Sequence, residues 1–386
     1  MAYRTTKIYK KDETIVLAFD IGTTHSTNTS SVVTSDVYEL TQAPCHSLML
    51  ILESAQTYDQ SVSVYNPTGS NAQNSLNPQI PTIVAYQGGE AKLFAAEARE
   101  HLDSDEYQIA RWFKLHLHPE SMKSSHRSAG RDELEIPSPP PGVSLPQVYA
   151  DFIQYLYKGT KDFFVNNTPN GQRIWSRLEG TMPMIFCTPN GWDISEHDFL
   201  TQAAIRAGIV DPSKAAERLW FITEGEASVH YSLAHTQTAE WLKGETIFAV
   251  TDADGSTVDS TLYRCRGKRP LVLEEVCASA CVQAGGVYVD RAIEGLLKQR
   301  LADTNYRDTE TISLMTQQFE QKTKRTFDGS QLSNVIQFGT PRDNDKEHNI
   351  AKGKLTLNRD EVGAAYTGVI SNITRSCREL LGNRDV

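Results

Sequence analysis

The apolar run Ile15-Val16-Leu17-Ala18-Phe19 ends at Asp20 and breaks into Ile21-Gly22-Thr23-Thr24, and Thr27 to Val33 then reads as another strand. A short apolar run closed by a turn predicts a buried strand, so the opening segment predicts strand, tight turn and strand. Ile80 to Tyr86 resumes a strand, Gly88-Gly89 suggests a hairpin turn, and Ala91 to Leu102 suits a helix. From Gln147 to Val165, Val148, Phe152, Tyr155, Leu156 and Phe163 recur at helical spacing, which predicts a long amphipathic helix. Met184 to Thr188 fits a strand, and Ser195-Glu196-His197-Asp198 opens a helix with an acidic variant of the capping box that Gly208 is placed to end. Leu219 to Thr223 is a strand feeding a helix at Glu224, and this alternation implies an α/β protein.

The opening pattern returns at Thr246-Ile247-Phe248-Ala249-Val250-Thr251-Asp252-Ala253-Asp254-Gly255-Ser256-Thr257-Val258-Asp259, with a second strand through Leu262 and Tyr263. In both places the glycine lets backbone N–H groups turn toward an anion, and the aspartate beside the turn can hold a magnesium ion through water. Neither segment contains Gly-Lys-Ser/Thr leading into a helix, so the pattern is a strand-turn-strand grip and not a P-loop. Two such hairpins can face each other across a cleft and hold a polyphosphate. The bland alternative is a pair of ordinary hairpins whose Asp, Gly, Ser and Thr serve turn geometry.

A chain of 386 residues is long enough for two or three domains, and residues 35–77 and 119–146, the latter with Pro139-Pro140-Pro141, read as an irregular insertion and a proline-rich loop. The apolar run Leu48 to Leu52 is far too short to span a bilayer, and Met1 to Glu13 lacks the apolar core of a signal peptide, so the expected location is cytoplasmic, with the nucleus as an option. A formal net charge of -10 argues against a nucleic-acid partner. The scattered cysteines suggest reduced thiols; Cys277 and Cys281 would lie on neighbouring helical turns, but nothing nearby completes a zinc site. His116 and His118 alternate as on a strand, again without a third ligand.

These segments resemble the actin-like ATPase superfamily, and specifically the nucleotide-binding domain of divergent heat shock protein 70 chaperones. Ala18 to Ser26 looks like the first phosphate motif of that family, Asp252 to Asp259 like the second, and Glu224-Gly225-Glu226-Ala227 like the helix start at the lobe junction. Thr188-Pro189-Asn190-Gly191-Trp192 and Ala284-Gly285-Gly286-Val287-Tyr288-Val289-Asp290 are similar to further family segments. The resemblance implies a ribonuclease H-like fold of two lobes around a nucleotide cleft. The first lobe would be residues 1–220 and the second 221–386, with a peripheral subdomain at about 290–357. It implies that Gly22, Thr23, Thr24, Gly255 and Thr257 contact phosphate, and that Asp20 and Asp252 hold Mg2+ through water. Lys114 would reach the terminal phosphate, Glu224 and Asp259 would position water or metal, and Lys324 and Arg325 would pack on adenine and ribose. The expected ligands are ATP or ADP, with unfolded polypeptide or a co-chaperone as the family's protein partners. In the bland alternative, Lys114 reads as a solvated helix lysine, Glu224 as a helix N-terminal glutamate and Lys324-Arg325 as a basic helix surface.

Two departures qualify the resemblance. The second grip has Asp254 before Gly255 and Ser256 after it where the family has consecutive glycines, which adds a like charge beside a phosphate. After the helix predicted over Asn358 to Leu381, no Gly-Gly turn for adenosine follows, so the second lobe is expected to be incomplete and truncated. Together these predict an ATP-binding chaperone relative with weak or lost hydrolysis. The alternatives are a non-catalytic pseudo-ATPase interaction module, or a small-molecule kinase of the same superfamily.

Overall fold

The computed structural model describes residues 14–33, 63–64, 80–102, 104–119, 136–235, 242–268, 271–277 and 279–382. Apart from Ser63–Val64, the insertion at 35–77 lies outside the described residues, as do 120–135 of the proline-rich loop and the run Leu48 to Leu52. Among the described residues, no helix is long and apolar enough to cross a membrane. The chain divides into two compact units. One comprises the residues up to Asp254 together with Asp259–Cys281 and the chain from Glu379 onward, and the other comprises Gly255–Val258 and Val282–Arg378.

The first unit opens with strands β1 (Thr14–Ile21), β2 (His25–Val33), β3 (Ser63–Val64), β4 (Ile80–Pro81), β5 (Ile83–Gln87), β6 (Glu90–Phe94) and β7 (Gln108–Arg111). Helices at Leu145–Asn167 and Gly171–Leu178 precede β8 (Met184–Thr188), and a helix at Ile194–Arg206 lies between β8 and β9 (Leu219–Thr223). The main sheet has the order β3-β2-β1-β8-β9, with β4 pairing β2. Strand β1 runs antiparallel to β2 and parallel to β8, which runs parallel to β9. The fold is therefore mixed α/β, as the alternation of strand and helix predicted.

The uninterrupted apolar run of β1 follows from burial on both sheet faces. Ile15, Leu17, Phe19 and Ile21 enter the larger core, where the predicted amphipathic helix Leu145–Asn167 contributes Val148, Phe152 and Leu156. Val16 and Ala18 face the other way, packing with Ile185, Cys187, Ile222 and Ala227. Register aligns Phe19 with Phe186 and Phe186 with Phe221, and these rings stack with centroids 5.0 and 6.0 Å apart. A one-residue slip would carry every one of these side chains to the wrong face, so β1 is fixed in register.

Three local expectations need correction. Ala91 to Leu102 is not one helix, because β6 occupies Glu90–Phe94 and a single short helix follows at Ala95–Arg99. Gly88 and Gly89, at φ of 62° and 81°, form the two-residue turn that pairs Gln87 with Glu90, and pairing with β5 overrides the helix propensity of the next residues. The capping box lies two residues upstream of Ser195: Asp193 accepts from the Ser195 N–H at 2.8 Å, and the Asp193 N–H donates to Glu196 at 2.9 Å. Gly208, at φ 72°, ends that helix as expected. His116 lies on a 3-10 helix, Phe113–Leu117, that His118 follows, so the two are not alternating strand residues.

The unit continues through the helix Glu224–His235 and strands β10 (Ile247–Ala253), β11 (Val258–Lys268), β12 (Leu271–Glu275) and β13 (Ala280–Val282), in which β11 pairs with the other three. Cys281 stands on β13 and Cys277 precedes it in a bend, so the two do not share a helix. Cys265, Cys277 and Cys281 form no disulfide, whereas Cys187 is disulfide-bonded, unlike the expected set of reduced thiols.

In the second unit, helices Gly286–Arg300, Thr309–Gln318 and much of Arg359–Gly382 pack against a sheet of β14 (Ser333–Gln337), β15 (Ile350–Ala351) and β16 (Lys354–Asn358), in the order β14-β16-β15. Its core includes Ile293, Leu297, Ile312, Phe319, Ile336 and Leu355.

Candidate functional site

The turn between β1 and β2 depends on Gly22. A Cβ there would fall 2.1 Å from the carbonyl oxygen of His25, a distance no side chain tolerates, so glycine alone permits this approach. Thr23 is fully buried beside it, the Thr82 N–H donates to the Thr24 carbonyl at 3.0 Å, and the Ser26 and Thr82 hydroxyls are 2.7 Å apart. These bonds fasten the turn to the start of β5.

Parallel strands β1, β8 and β9 deliver residues from their carboxyl ends, the usual place for ligand chemistry in an α/β sheet. Asp20 comes from β1, Thr188 and Asn190 from the end of β8, and Glu224 from the first position after β9. Lys114 reaches this edge from the 3-10 helix, and its Nζ donates to Glu224 Oε1 at 2.7 Å, with side chains 2% and 8% exposed. Trp192 lies 5.9 Å beneath the same ammonium. The reading of Lys114 as a solvated helix lysine is therefore wrong, and Glu224 does more than favour a helix dipole.

The second hairpin brings further carboxylates. Asp252 Oδ2 accepts from the Ser228 hydroxyl at 3.1 Å, and Asp259, at 1% exposure, is buried near the Cys281 thiol and the Asn190 backbone, both of which favour its charged form. Asp259 Oδ1 and Asn190 Oδ1 are buried without a hydrogen-bond partner among the described residues. The Asn190 amide donates to Thr261 Oγ1, and Gly225 leaves room for it, since a Cβ there would lie 3.1 Å from Asn190 Nδ2. Asp254 approaches the first turn: its Oδ2 lies 3.6 Å from where a Gly22 Cβ would be.

One lysine thus meets five carboxylates, and their ionisation reflects it. Burial would lower the Lys114 pKa, but Glu224, Asp254 and Asp20 outweigh it and raise it, so the ammonium stays charged. Its charge is divided among several acids and fully offsets the burial of none. Burial raises Asp20 to about 6 against the pull of Lys114, with Asp254 and Asp252 adding to the rise. Glu224 is pushed up to about 8 and Asp259 to about 6, in both cases chiefly by burial. Asp252 is raised by burial and by Asp254. An enclosed excess of anionic oxygen is the donor chemistry of a hard divalent cation. No group of three or more His, Cys, Asp or Glu among the described residues is arranged to hold a metal by itself, so a cation here would complete its shell with water or ligand oxygens.

The remaining sequence-predicted residues belong to the second unit. Gly255 and Ser256 carbonyls accept from the Val287 and Gly285 N–H groups at 2.8 and 3.0 Å, and Thr257 Oγ1 is buried without a partner among the described residues. Lys324 Nζ donates to Asp290 Oδ2 at 2.6 Å and to the Gly286 carbonyl at 3.2 Å, directly after a π-helical turn at Phe319–Thr323. Arg325 is exposed. Asp20, Gly22, Thr23, Thr24, Lys114, Glu224, Asp252 and Asp259 thus share the first unit, whereas Gly255, Thr257, Lys324 and Arg325 lie in the second.

Asn190 and Cys281 are additional site residues that no motif role had assigned. Asn190 stands in the family-like segment Thr188 to Trp192 and Cys281 in the close pair with Cys277, but neither pattern carried a site role. No family model matches this chain, and no curated protein matches it.

Proposed function

We propose that this chain is a nucleotide-binding protein of the actin-like ATPase type, resembling a heat shock protein 70 nucleotide-binding domain, that takes ATP with Mg2+ and turns it over weakly or not at all. The observation that supports this reading best is the buried Lys114–Glu224 pair among Asp20, Asp252 and Asp259, at the carboxyl ends of parallel strands and beside a turn only glycine can make. The orphaned Asp259 oxygen and the surplus of carboxylates fit a divalent cation, which Asp20 and Asp252 would hold through water. Bound there, the ion would neutralise phosphate charge. Backbone N–H groups of Gly22, Thr23 and Thr24 would orient the phosphates, and the Lys114 ammonium would stabilise charge developing on a transferred phosphoryl group. Glu224, held by Lys114, would orient a water, and Asp259, raised by burial to about 6, would take its proton.

Weak turnover follows from the same residues. Lys114 already donates to Glu224, and Asp254 brings a carboxylate to the turn that should receive phosphate. That placement also favours a second reading, a pseudo-ATPase that keeps the fold as an interaction module and binds no nucleotide. Isothermal titration with Mg-ATP separates the two. The first reading expects saturable binding that Asp20→Asn abolishes, and the second expects no heat of binding.

A further inference from the structure

Asp254 is not needed for the hairpin it belongs to. Its carboxylate instead points back toward the first turn, with Oδ2 3.6 Å from the position a Gly22 side chain would take. Gly22 is bare there because of the His25 carbonyl, and the Asp254 carboxylate lies within ordinary contact range of the same position. The charge of Asp254 acts on Lys114, Asp20, Glu224 and Asp252, so it stands amid the whole set. We propose that Asp254 is an internal anion at the first turn that competes with an incoming phosphate for Lys114 and the Gly22 turn, and so sets the affinity and charge selectivity of the site. This rests on the phosphate-grip reading above.

The physics is that of like charges at short range. An anion seated on the Gly22 turn meets the Asp254 carboxylate at a separation of about 4–5 Å, where like charges at a partly buried site repel. Two consequences follow. A phosphate ligand must either bring a divalent cation to screen Asp254 or displace its side chain. A neutral residue of the same shape at 254 relieves the competition without disturbing the fold, because among the described residues no hydrogen bond of the Asp254 side chain holds the hairpin together.

The test compares wild type with Asp254→Asn, and with Asp254→Gly as a second variant should the amide make new bonds. Mg-ATP affinity is measured by isothermal titration, and the Gly22 and Thr23 amide resonances are followed in the ligand-free proteins. The expected result is about 10- to 100-fold tighter Mg-ATP binding in both variants, together with displaced Gly22 and Thr23 resonances. Unchanged resonances would place the carboxylate away from the turn and overturn the proposal whatever binds. Displaced resonances with equal, measurable affinity in all three proteins would overturn the competition while leaving the nucleotide reading intact. Displaced resonances with no Mg-ATP binding in any protein would overturn the nucleotide reading, and the competition with it.

Discussion

Replacing Lys114 by Met removes the one cation that the described residues bring to the acid cluster while keeping an unbranched stem of similar volume, so the effect reports charge more than packing. In wild type the ammonium is 2.7 Å from Glu224 and also offsets Asp20 and Asp254. Breaking a buried pair by removing one partner costs about 3–5 kcal/mol, because the remaining charge is left uncompensated. Here the acids can escape part of that cost by protonation. At pH 8 the loss should be near the full range, and at pH 5, where Asp20, Asp259 and Glu224 hold protons in the folded state, it should fall to about 1–2 kcal/mol. Glu224→Gln should be milder, since the amide oxygen still accepts from Lys114. The double variant should recover about 2 kcal/mol relative to the sum of the singles. Urea unfolding followed by tryptophan fluorescence is the assay, with Trp192 beside Lys114 as a local reporter. A Lys114→Met loss under about 1 kcal/mol at both pH values, or additive behaviour in the cycle, would refute the buried-pair account.

Two further predictions concern the same unit. Gly22→Ala must push the His25 carbonyl aside, so it should destabilise by about 1–3 kcal/mol in urea and abolish Mg-ATP binding, and a neutral effect on both would contradict the turn geometry. The raised carboxyls also fix a pH dependence. Asp20 and Asp259 titrate near 6 and Glu224 near 8 when folded, against 3.8 and 4.5 for the free side chains, so the native state holds protons the unfolded chain has lost. Stability from this cluster is therefore fully present below about pH 4 and is lost as pH rises toward 8, at about 1.4 kcal/mol for each pKa unit of displacement. Magnesium should raise the melting temperature at pH 8 and have little effect at pH 5. A stabilisation equal at both values would show the ion binding elsewhere.

What the residues disclosed in advance were the features that local patterns encode. The apolar run of β1 reads directly as a strand buried on two faces, and the helical spacing of Val148, Phe152 and Leu156 reads as the packing stripe of the helix over Leu145–Asn167. The two Asp-bounded turns likewise marked both hairpins. What remained hidden depends on partners distant in the chain. Lys114 meets Glu224 across 110 positions, and nothing near either residue announces the pairing. Residues 90–94 prefer a helix by composition, and only the Gly88-Gly89 turn and the β5 edge make them a strand. Asp254 reads locally as a turn residue, and its approach to Gly22 arises only when β10 is placed. Lys324 reads as surface base, whereas the π-helical turn before it accompanies an ion pair with Asp290.

The central claim is a Mg-dependent nucleotide site built on Asp20 and the Gly22 turn, and titration of ATP into wild type and Asp20→Asn, each with magnesium and with EDTA, tests it most directly. The account predicts saturable ATP binding in wild type with magnesium alone, lost in EDTA and in Asp20→Asn while the variant's unfolding curve stays native-like. No saturable binding at millimolar ATP, or binding that survives both EDTA and Asp20→Asn, would contradict it.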